Sequence, residues 1–409
     1  MARKLPIVVI VTGSLLGLLA LQPGLDYFTD APAIDDLARG DLPGFFANQP
    51  LMGSLTLFLR AVVIKPVFHA NITVVYAVGA LPCVAALVWL AARLLRRMPQ
   101  RPRQDRVLVL LLCVGSLTAI RALHWGHPED ILAAALAVGA LLVAADKRAV
   151  LAGVMVGAAA SSKQWGMLAG LPALLVLPSG RRGFFAAAVG VWALFTVPML
   201  IGDPQRFWTV MHAAGSADPT VILYGDPVGP GAHVNPYDIW LPFATRAPWM
   251  RTHELFISGP VVNLAHPLIL LTSVALPAVL WWRRRRVTLV AGLQLLALIL
   301  LARCALDPMS LDYYHLPVVV ALAAAAAVGG RRELDFALLV TAGLTVAFVE
   351  PAVSLKTVEH LAWLKFTLYA ATVVPAAAWL VREVYGVPAA GRVKRASRSP
   401  RPQASTSSA

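Results

Sequence analysis

Acidic residues and cysteines are both scarce in this sequence. The 409 residues include 21 Asp and Glu against 35 Lys and Arg, and charged residues make up only 14% of the chain. Because about a quarter of the residues in a typical soluble domain are charged, a soluble globular fold is excluded. The three cysteines, Cys83, Cys113 and Cys304, form no CxxC pair, so neither a disulfide framework nor a zinc site is indicated.

The sequence also lacks a glycine-rich loop of the kind that cradles nucleotide phosphates. The formal net charge of +14 would suit nucleic acid, but the basic residues occur in short clusters between apolar runs. Such clusters are typical of membrane topology signals and of contacts with anionic lipids. We therefore expect membrane lipids as partners and no nucleic acid.

Apolar residues are abundant instead, at 58% of the chain. Several apolar runs approach the roughly 20 residues that a bilayer-spanning helix needs. The pattern predicts an all-α polytopic membrane protein of about 12 transmembrane helices (10–13), with one domain over 1–381 and a disordered basic tail over 382–409. The predicted helices cover about 5–22, 70–92, 107–121, 129–145, 149–161, 166–178, 183–200, 261–282, 287–303, 315–329, 334–349 and 362–381.

The distribution of positive charge predicts which side each loop occupies. Arg3 and Lys4 precede the first helix, and six arginines lie between Arg93 and Arg106. Since short loops rich in Lys and Arg stay in the cytoplasm, both termini are expected there, in a multi-pass plasma-membrane protein. The polar segment 25–60, with a short helix of its own, and the large loop 202–260 are then expected on the outer side.

Segment 25–60 holds five aspartates. Asp26 and Asp30 are candidates for a general base, because an aspartate at the end of a membrane helix can accept a proton from a substrate hydroxyl. The alternative for Asp30 is to cap the short helix that begins at Ala31-Pro32. The other three acids fit a solvated helix face, with Ile34, Leu37 and Leu42 facing lipid; these acids are Asp35, Asp36 and Asp41.

Two more outer segments carry polar residues at membrane depth. His124, His127 and Glu129 surround a proline, and they could bind a divalent metal, orient a substrate or phosphate, or cap the next helix. Lys163 lies between two apolar runs, where it could bind a lipid phosphate or extend to the headgroups. Its neighbours Gln164 and Trp165 favour a pocket.

A fourth outer segment contains Asp312, Tyr313 and His315 as candidate substrate contacts, although tyrosines at this depth are also typical of an interfacial aromatic belt. Arg303, just before it, and Arg121 are candidates for binding a phosphate, because a guanidinium contacts phosphate oxygens bidentately. No metal ligands are assigned and no cofactor is expected; a divalent cation is compatible with these residues but not required.

Taken in order, these motifs resemble the glycosyltransferase C superfamily. More narrowly, they are similar to the actinobacterial polyprenyl-phosphate-mannose-dependent mannosyltransferase family. The matching motifs are Asp26-Tyr27 followed by Leu37–Gly40, GHPE at Gly126–Glu129, the small-residue run Leu151–Trp165 with its lysine, Asn235–Trp240 and Asp312-Tyr313-Tyr314. One departure is Asn48–Gly53, where the family usually has a YPP-like element.

The resemblance implies a membrane glycosyltransferase that moves a hexose, mannose or another, from a polyprenyl-phosphate donor to a lipid or glycan acceptor in the outer cell envelope. It implies inversion at the anomeric carbon, with Asp30 or Asp26 as the base. The alternative class is a polytopic transporter or lipid flippase, which would use the same buried charges without chemistry. A third possibility is a membrane scaffold, and the buried charges count against it.

Overall fold

The computed structural model describes twelve parts of the chain, and the statements below concern these residues only. They are residues 13, 30–49, 53–68, 72–213, 222–223, 226–227, 231–233, 236–246, 255–283, 287–308, 310–349 and 358–386. The predicted first helix (apart from residue 13), Asp26 and the chain beyond residue 386 lie outside them.

Helices make up nearly all of the described chain. The α-helices are α1 (Ala31–Arg39), α2 (Leu42–Ala47), α3 (Ser54–Phe58), α4 (Lys65–Phe68), α5 (Ile72–Arg96), α6 (Arg103–Val114), α7 (Leu117–Trp125), α8 (Pro128–Ala145), α9 (Ala149–Ser162), α10 (Gly170–Val176), α11 (Arg181–Gly202), α12 (Pro204–Ala213), α13 (Gly259–Arg283), α14 (Leu289–Leu306), α15 (Leu316–Gly329), α16 (Arg331–Phe348) and α17 (Val358–Tyr385). A π-helical stretch, Leu59–Ile64, joins α3 to α4, and 3₁₀ turns occupy Gln164–Ala169, Leu241–Phe243 and Asp312–His315.

The membrane-protein class is confirmed. Eight helices of the described residues are long and apolar enough to cross a bilayer, and three shorter apolar helices accompany them. Each predicted run from 70–92 to 362–381 coincides with helix, although run 107–121 is broken at Gly115-Ser116 and the last helix continues to Tyr385. The count of twelve spans stays a prediction.

The predicted outer loop 202–260 contains short strands that the sequence analysis did not anticipate. Strand β1 (Ile222–Leu223) pairs antiparallel with β2 (Asp226–Pro227), with Leu223 opposite Asp226. A second sheet has the order β3 (Gly231–His233), β5 (Leu255–Ser258) and β4 (Thr245–Arg246). These strands are two to four residues long, so the described chain remains α-helical in class.

Helices α5 and α8 run parallel and carry polar residues at both of their ends. Tyr76, near the start of α5, donates a hydrogen bond to the Leu123 carbonyl just before α8. Arg93 and Arg97, near the end of α5, both pair with Asp146 just after α8. The 18 residues of α8 rise about 27 Å, which is close to the roughly 30 Å of a hydrocarbon core. Two polar layers are thus separated by one membrane thickness.

Three helices present apolar surface outward. In the most apolar 18-residue stretch of α11, only 11% is buried within the chain, and the corresponding shares are 28% for α13 and 22% for α17. In α8 and in the span that ends with α15, by contrast, 83% is buried. Large exposed side chains such as Leu194 on α11 would be costly in water. Lipid is therefore the solvent that fits this outer surface.

Segment 30–68 folds over one end of the bundle rather than standing in solvent. Its apolar residues form a second hydrophobic cluster with the starts of α5 and α12 and the end of α11. The prediction that Ile34 faces lipid is wrong, because only 1% of its surface is exposed and it lies in that cluster. Asp36, predicted as solvated, is 6% exposed and accepts a hydrogen bond from Asn48 at 2.8 Å.

A glycine allows this segment to contact the rest of the bundle. Gly53 precedes α3 and lies against the carbonyl groups of Ser161 and Ser162, at the end of α9. A side chain on Gly53 would overlap both carbonyl oxygens. The close approach brings the α3 segment beside Lys163.

We expect Gly53→Ala to separate α3 from the end of α9 and to lower the free energy of unfolding by about 1–3 kcal/mol, the usual cost of overpacking. Thermal unfolding in a lipid nanodisc measures the change. Gly190→Ala on α11 is the matched control, because a methyl group there would meet nothing within 4 Å. Equal stability of the two variants would contradict the close contact at Gly53.

Candidate functional site

Asp30 occupies the N-cap position of α1 but its side chain does not cap the helix. Instead, Asp30 Oδ2 accepts a hydrogen bond from Arg60 Nη1 at 3.0 Å. Neither side chain is more than 1% exposed. The other oxygen, Oδ1, is buried and has no hydrogen-bond partner among the described residues. Asp30 therefore combines an ion pair on one oxygen with an unused acceptor on the other.

The local backbone explains how Arg60 reaches Asp30. Arg60 is the second residue of the π-helical stretch, a conformation that is rare and concentrated at functional sites. Gly79 on α5 leaves room for the arginine stem, since a Cβ there would lie 2.7 Å from Arg60 Cγ. The guanidinium also lies over the Tyr76 ring, 5.5 Å from its centroid. An arginine is thereby held inside the bundle with its charge directed at Asp30.

Glu129, in the first turn of α8, is the second carboxylate beside Arg60. Its Oε2 lies 3.5 Å from Arg60 Nη2, and its Oε1 lies 2.8 Å from His127 Nδ1. Lys163 Nζ approaches the same Oε1 at 3.4 Å. Since Glu129 is fully buried, its negative charge depends on these neighbours for compensation.

Lys163 stands at the break between α9 and the 3₁₀ turn that precedes α10. Its ammonium contacts a second carboxylate, Asp130, at 3.4 Å. Asp130 in turn accepts a hydrogen bond from Trp165 Nε1 at 2.9 Å. Asp30, Arg60, Glu129, Asp130 and Lys163 thus form one buried network, which we call the ion cluster.

Aromatic rings connect the ion cluster to the segment that follows α14. The His127 ring stacks on Tyr313 with centroids 4.7 Å apart. The neighbouring Tyr314 ring lies under the Arg303 guanidinium at 4.4 Å. Arg303 pairs with Asp307 at 3.3 Å, yet its buried Nη1 has no hydrogen-bond partner among the described residues. Arg303 therefore keeps donor capacity for an anion.

Segment 236–244 fixes the C-terminal end of α14. Ile239 N donates to the Ala305 carbonyl at 2.8 Å, and Trp240 Nε1 donates to the Leu306 carbonyl at 2.6 Å. Both carbonyls belong to the last turn of α14, whose oxygens have no partner within the helix. These hydrogen bonds hold the C-terminal end of α14, which carries Arg303, against segment 236–244.

Burial changes the acidity of two carboxyl groups outside the membrane-spanning helices. Burial raises the pKa of Asp30 to about 7, although Arg60 and other nearby cations oppose the rise. Burial likewise raises the pKa of Asp238 to about 8, against the lowering effect of the Trp240 N–H. A carboxyl group with a pKa near 7 can both accept and release a proton at neutral pH.

The structure brings six of the thirteen predicted site residues into the ion cluster or into direct contact with it. Arg121 pairs with Asp312 at 3.2 Å, and His315 contacts the Tyr369 hydroxyl at 2.9 Å. His124 and Gln164 are exposed. The residues within the ion cluster or in direct contact with it are Asp30, His127, Glu129, Lys163, Trp165 and Tyr313.

The sequence analysis missed Arg60 and the contacts that Asp130 makes with Lys163 and Trp165. Arg60 was treated as the end of a polar segment, although it lies within the apolar run Leu55–Ile64. A lone charge in an apolar run is the same signal that selected Lys163. Asp130 directly follows Glu129 in the segment that was considered for metal binding or helix capping, and nothing in the sequence spacing indicates its contact with Trp165.

His127, Glu129 and Asp130 also have the composition of a metal site. One ligand atom from each lies within 4.8 Å of the others, and all three residues are buried. Among the described residues this is the group whose ligand atoms lie close enough to share an ion. The Lys163 ammonium occupies the space beside the two carboxylates.

Two comparisons with known proteins bear on the chain. The family model of glycosyltransferase family 87 matches residues 45–308, which is more than half of the 409 residues. The matched part contains Arg60, Glu129, Lys163 and Arg303 and begins after Asp30. A search of curated proteins finds no match.

Proposed function

The chain belongs to glycosyltransferase family 87 and is a membrane glycosyltransferase; on that premise we propose that it transfers a hexose from a polyprenyl-phosphate donor, with Asp30 as the general base. The unpartnered Oδ1 of Asp30 is the observation that carries the proposal. It is a buried acceptor on a carboxylate whose other oxygen is held by Arg60. A base must be fixed in place and still have a lone pair for the incoming proton.

The reaction is a single displacement. The acceptor hydroxyl gives its proton to Asp30 Oδ1 while its oxygen bonds to the anomeric carbon of the donor sugar. The bond between that carbon and the phosphate oxygen breaks, and the leaving phosphate takes the electron pair. One bond forms as another breaks on the opposite side of the carbon, so the configuration inverts.

The leaving phosphate needs positive neighbours more than it needs an acid. Arg303 suits this role because its buried Nη1 has no partner among the described residues, while Asp307 and Tyr314 fix the guanidinium. Arg121 and Lys163 add positive charge on the same side, although carboxylates already compensate each of them. Hydrogen-bond donors that are held in place around the charge developing in the transition state contribute strongly to catalysis in a site closed to water.

The substrate contacts follow from the same arrangement. His127, Tyr313 and Trp165 form an aromatic and imidazole wall beside the carboxylates, which suits the apolar face and hydroxyls of a sugar. His124, Gln164, Asp312 and His315 remain proposed contacts, and Asp26 lies outside the described residues. The choice of mannose, a lipid or glycan acceptor and the outer face of the plasma membrane rests on the resemblance of the motifs.

Asp30 is fully buried in this structure, so the acceptor reaches it only after the covering segments separate. A closed site that opens for substrate keeps water away from the donor and prevents its hydrolysis.

We expect Asp30→Asn to lower the rate of sugar transfer by about 10²–10⁴-fold, because the amide cannot accept the proton. The assay incubates purified protein with polyprenyl-phosphate sugars and membrane-lipid acceptors and measures the polyprenyl phosphate released. Asp41→Asn is the matched control: Asp41 is exposed and only caps Gly44 N at 3.0 Å. If Asp30→Asn keeps the wild-type rate, another group is the base.

Transfer should also depend on pH in a defined direction. The base is active only when Asp30 is ionised, and its pKa is raised to about 7. The rate at limiting acceptor should therefore rise as the pH increases through about 7, falling about tenfold for each pH unit below it. Replacing Arg60 with Met removes a charge that lowers this pKa, so the rise should move to higher pH. An unchanged profile in Arg60→Met would contradict the assignment.

A further inference from the structure

Lys163 occupies the position that a metal ion would take among three ligands. Its Nζ lies 3.4 Å from Glu129 Oε1 and 3.4 Å from Asp130 Oδ2. His127 Nδ1 lies 2.8 Å from the same Glu129 oxygen. One ligand atom from each of the two acids and the imidazole lies within 4.8 Å of the others. The ammonium thus contacts two of the three groups whose ligand atoms could share an ion.

Those atoms have the chemistry of a divalent-ion site. Carboxylate oxygens and an imidazole nitrogen suit ions such as Mn²⁺, and carboxylates alone suit Ca²⁺. An ion with ligands at about 2.4 Å spans ligand atoms up to about 4.8 Å apart, so the observed separation lies within reach of a large divalent ion. Asp130 Oδ2 and Glu129 Oε2 have no hydrogen-bond partner among the described residues, and both are buried.

The charges of the ion cluster require a cation at this point. Asp30, Glu129 and Asp130 are acids, and Arg60 and Lys163 are their cationic partners. Arg60 contacts Asp30 and Glu129, whereas Asp130 has Lys163 as its cationic partner in the cluster. Without the lysine charge, Glu129 and Asp130 are two adjacent buried carboxylates. The Arg60 guanidinium is then the one remaining cation of the cluster, and it is shared with Asp30. Buried charge left uncompensated in this way is costly, so the two carboxylates would either take up a proton or bind another cation.

We propose that the Lys163 ammonium is a built-in substitute for a divalent cation, and that a variant without it acquires a divalent-ion site at His127, Glu129 and Asp130. The lysine and an ion cannot both occupy the space between the two carboxylates. The wild-type protein therefore excludes metal from this position. A consequence, which rests on the proposed function, is that sugar transfer continues in the presence of EDTA.

Terbium luminescence tests the binding claim without any sugar substrate. Tb³⁺ takes oxygen ligands as Ca²⁺ does, and a nearby indole excited by ultraviolet light sensitises its emission. Trp165 is such an antenna, because its Nε1 lies 2.9 Å from Asp130 Oδ1. Full-length protein in nanodiscs is titrated with TbCl₃, and Mn²⁺ or Ca²⁺ is then added in competition.

We expect Lys163→Ala to show saturable, indole-sensitised emission that Mn²⁺ or Ca²⁺ displaces. The wild-type protein and Lys163→Arg, which keeps a cation there, should show none. Adding Asp130→Asn to Lys163→Ala should weaken Tb³⁺ binding by at least about 10–100-fold, which is the usual effect of losing even an outer-shell partner of a metal site. Lys163→Met serves as a second cation-free variant if the alanine protein is poorly folded.

Two results would overturn the inference. One is saturable emission of the same affinity in the wild-type protein and in Lys163→Arg, which would place a metal beside the lysine. The other is the absence of emission in the folded Lys163→Ala and Lys163→Met proteins. Loss of sugar transfer in every variant would bear on the proposed function and not on this binding result, so the two failures are distinguishable.

Discussion

The buried ion pair between Asp30 and Arg60 is the interaction on which this site depends. Both side chains are removed from water, and an isolated charge in that position would cost several kcal/mol. The pair is tolerable because Arg60 also contacts Glu129, which in turn contacts His127 and Lys163. The ion cluster joins the start of α1 to α8 and to the break after α9. Removing one member leaves the others uncompensated.

Two layers of polar residues lie at opposite ends of the helix bundle. The ion cluster lies at one end of α5 and α8, and the pairs of Arg93 and Arg97 with Asp146 lie at the other. Between them, α8 is almost entirely buried, whereas α11, α13 and α17 turn apolar surface outward. The ion cluster therefore lies at one end of the bundle, separated from the other polar layer by about the length of α8.

The helices could be predicted from the sequence because bilayer-length apolar runs and basic clusters are local signals. That Asp30, Lys163 and Arg303 have charged partners was also predictable, since a charge beside an apolar run needs a partner. The partners themselves were not. Arg60 reaches Asp30 through a π-helical stretch, and Ile34, which was expected to face lipid, is buried in the second hydrophobic cluster. Both outcomes depend on the contact of segment 30–68 with the bundle, which no sequence spacing encodes.

A double-mutant cycle of Asp30→Asn and Arg60→Met, measured as the free energy of unfolding in nanodiscs, tests the central claim most directly. Arg60→Met alone should cost about 3–5 kcal/mol, because it leaves buried carboxylates without their cation. The double variant should be more stable than the sum of the two single effects predicts, with a coupling free energy of about 0.5–3 kcal/mol. Additive effects, within about 0.5 kcal/mol, would show that the two side chains act independently and would contradict the account.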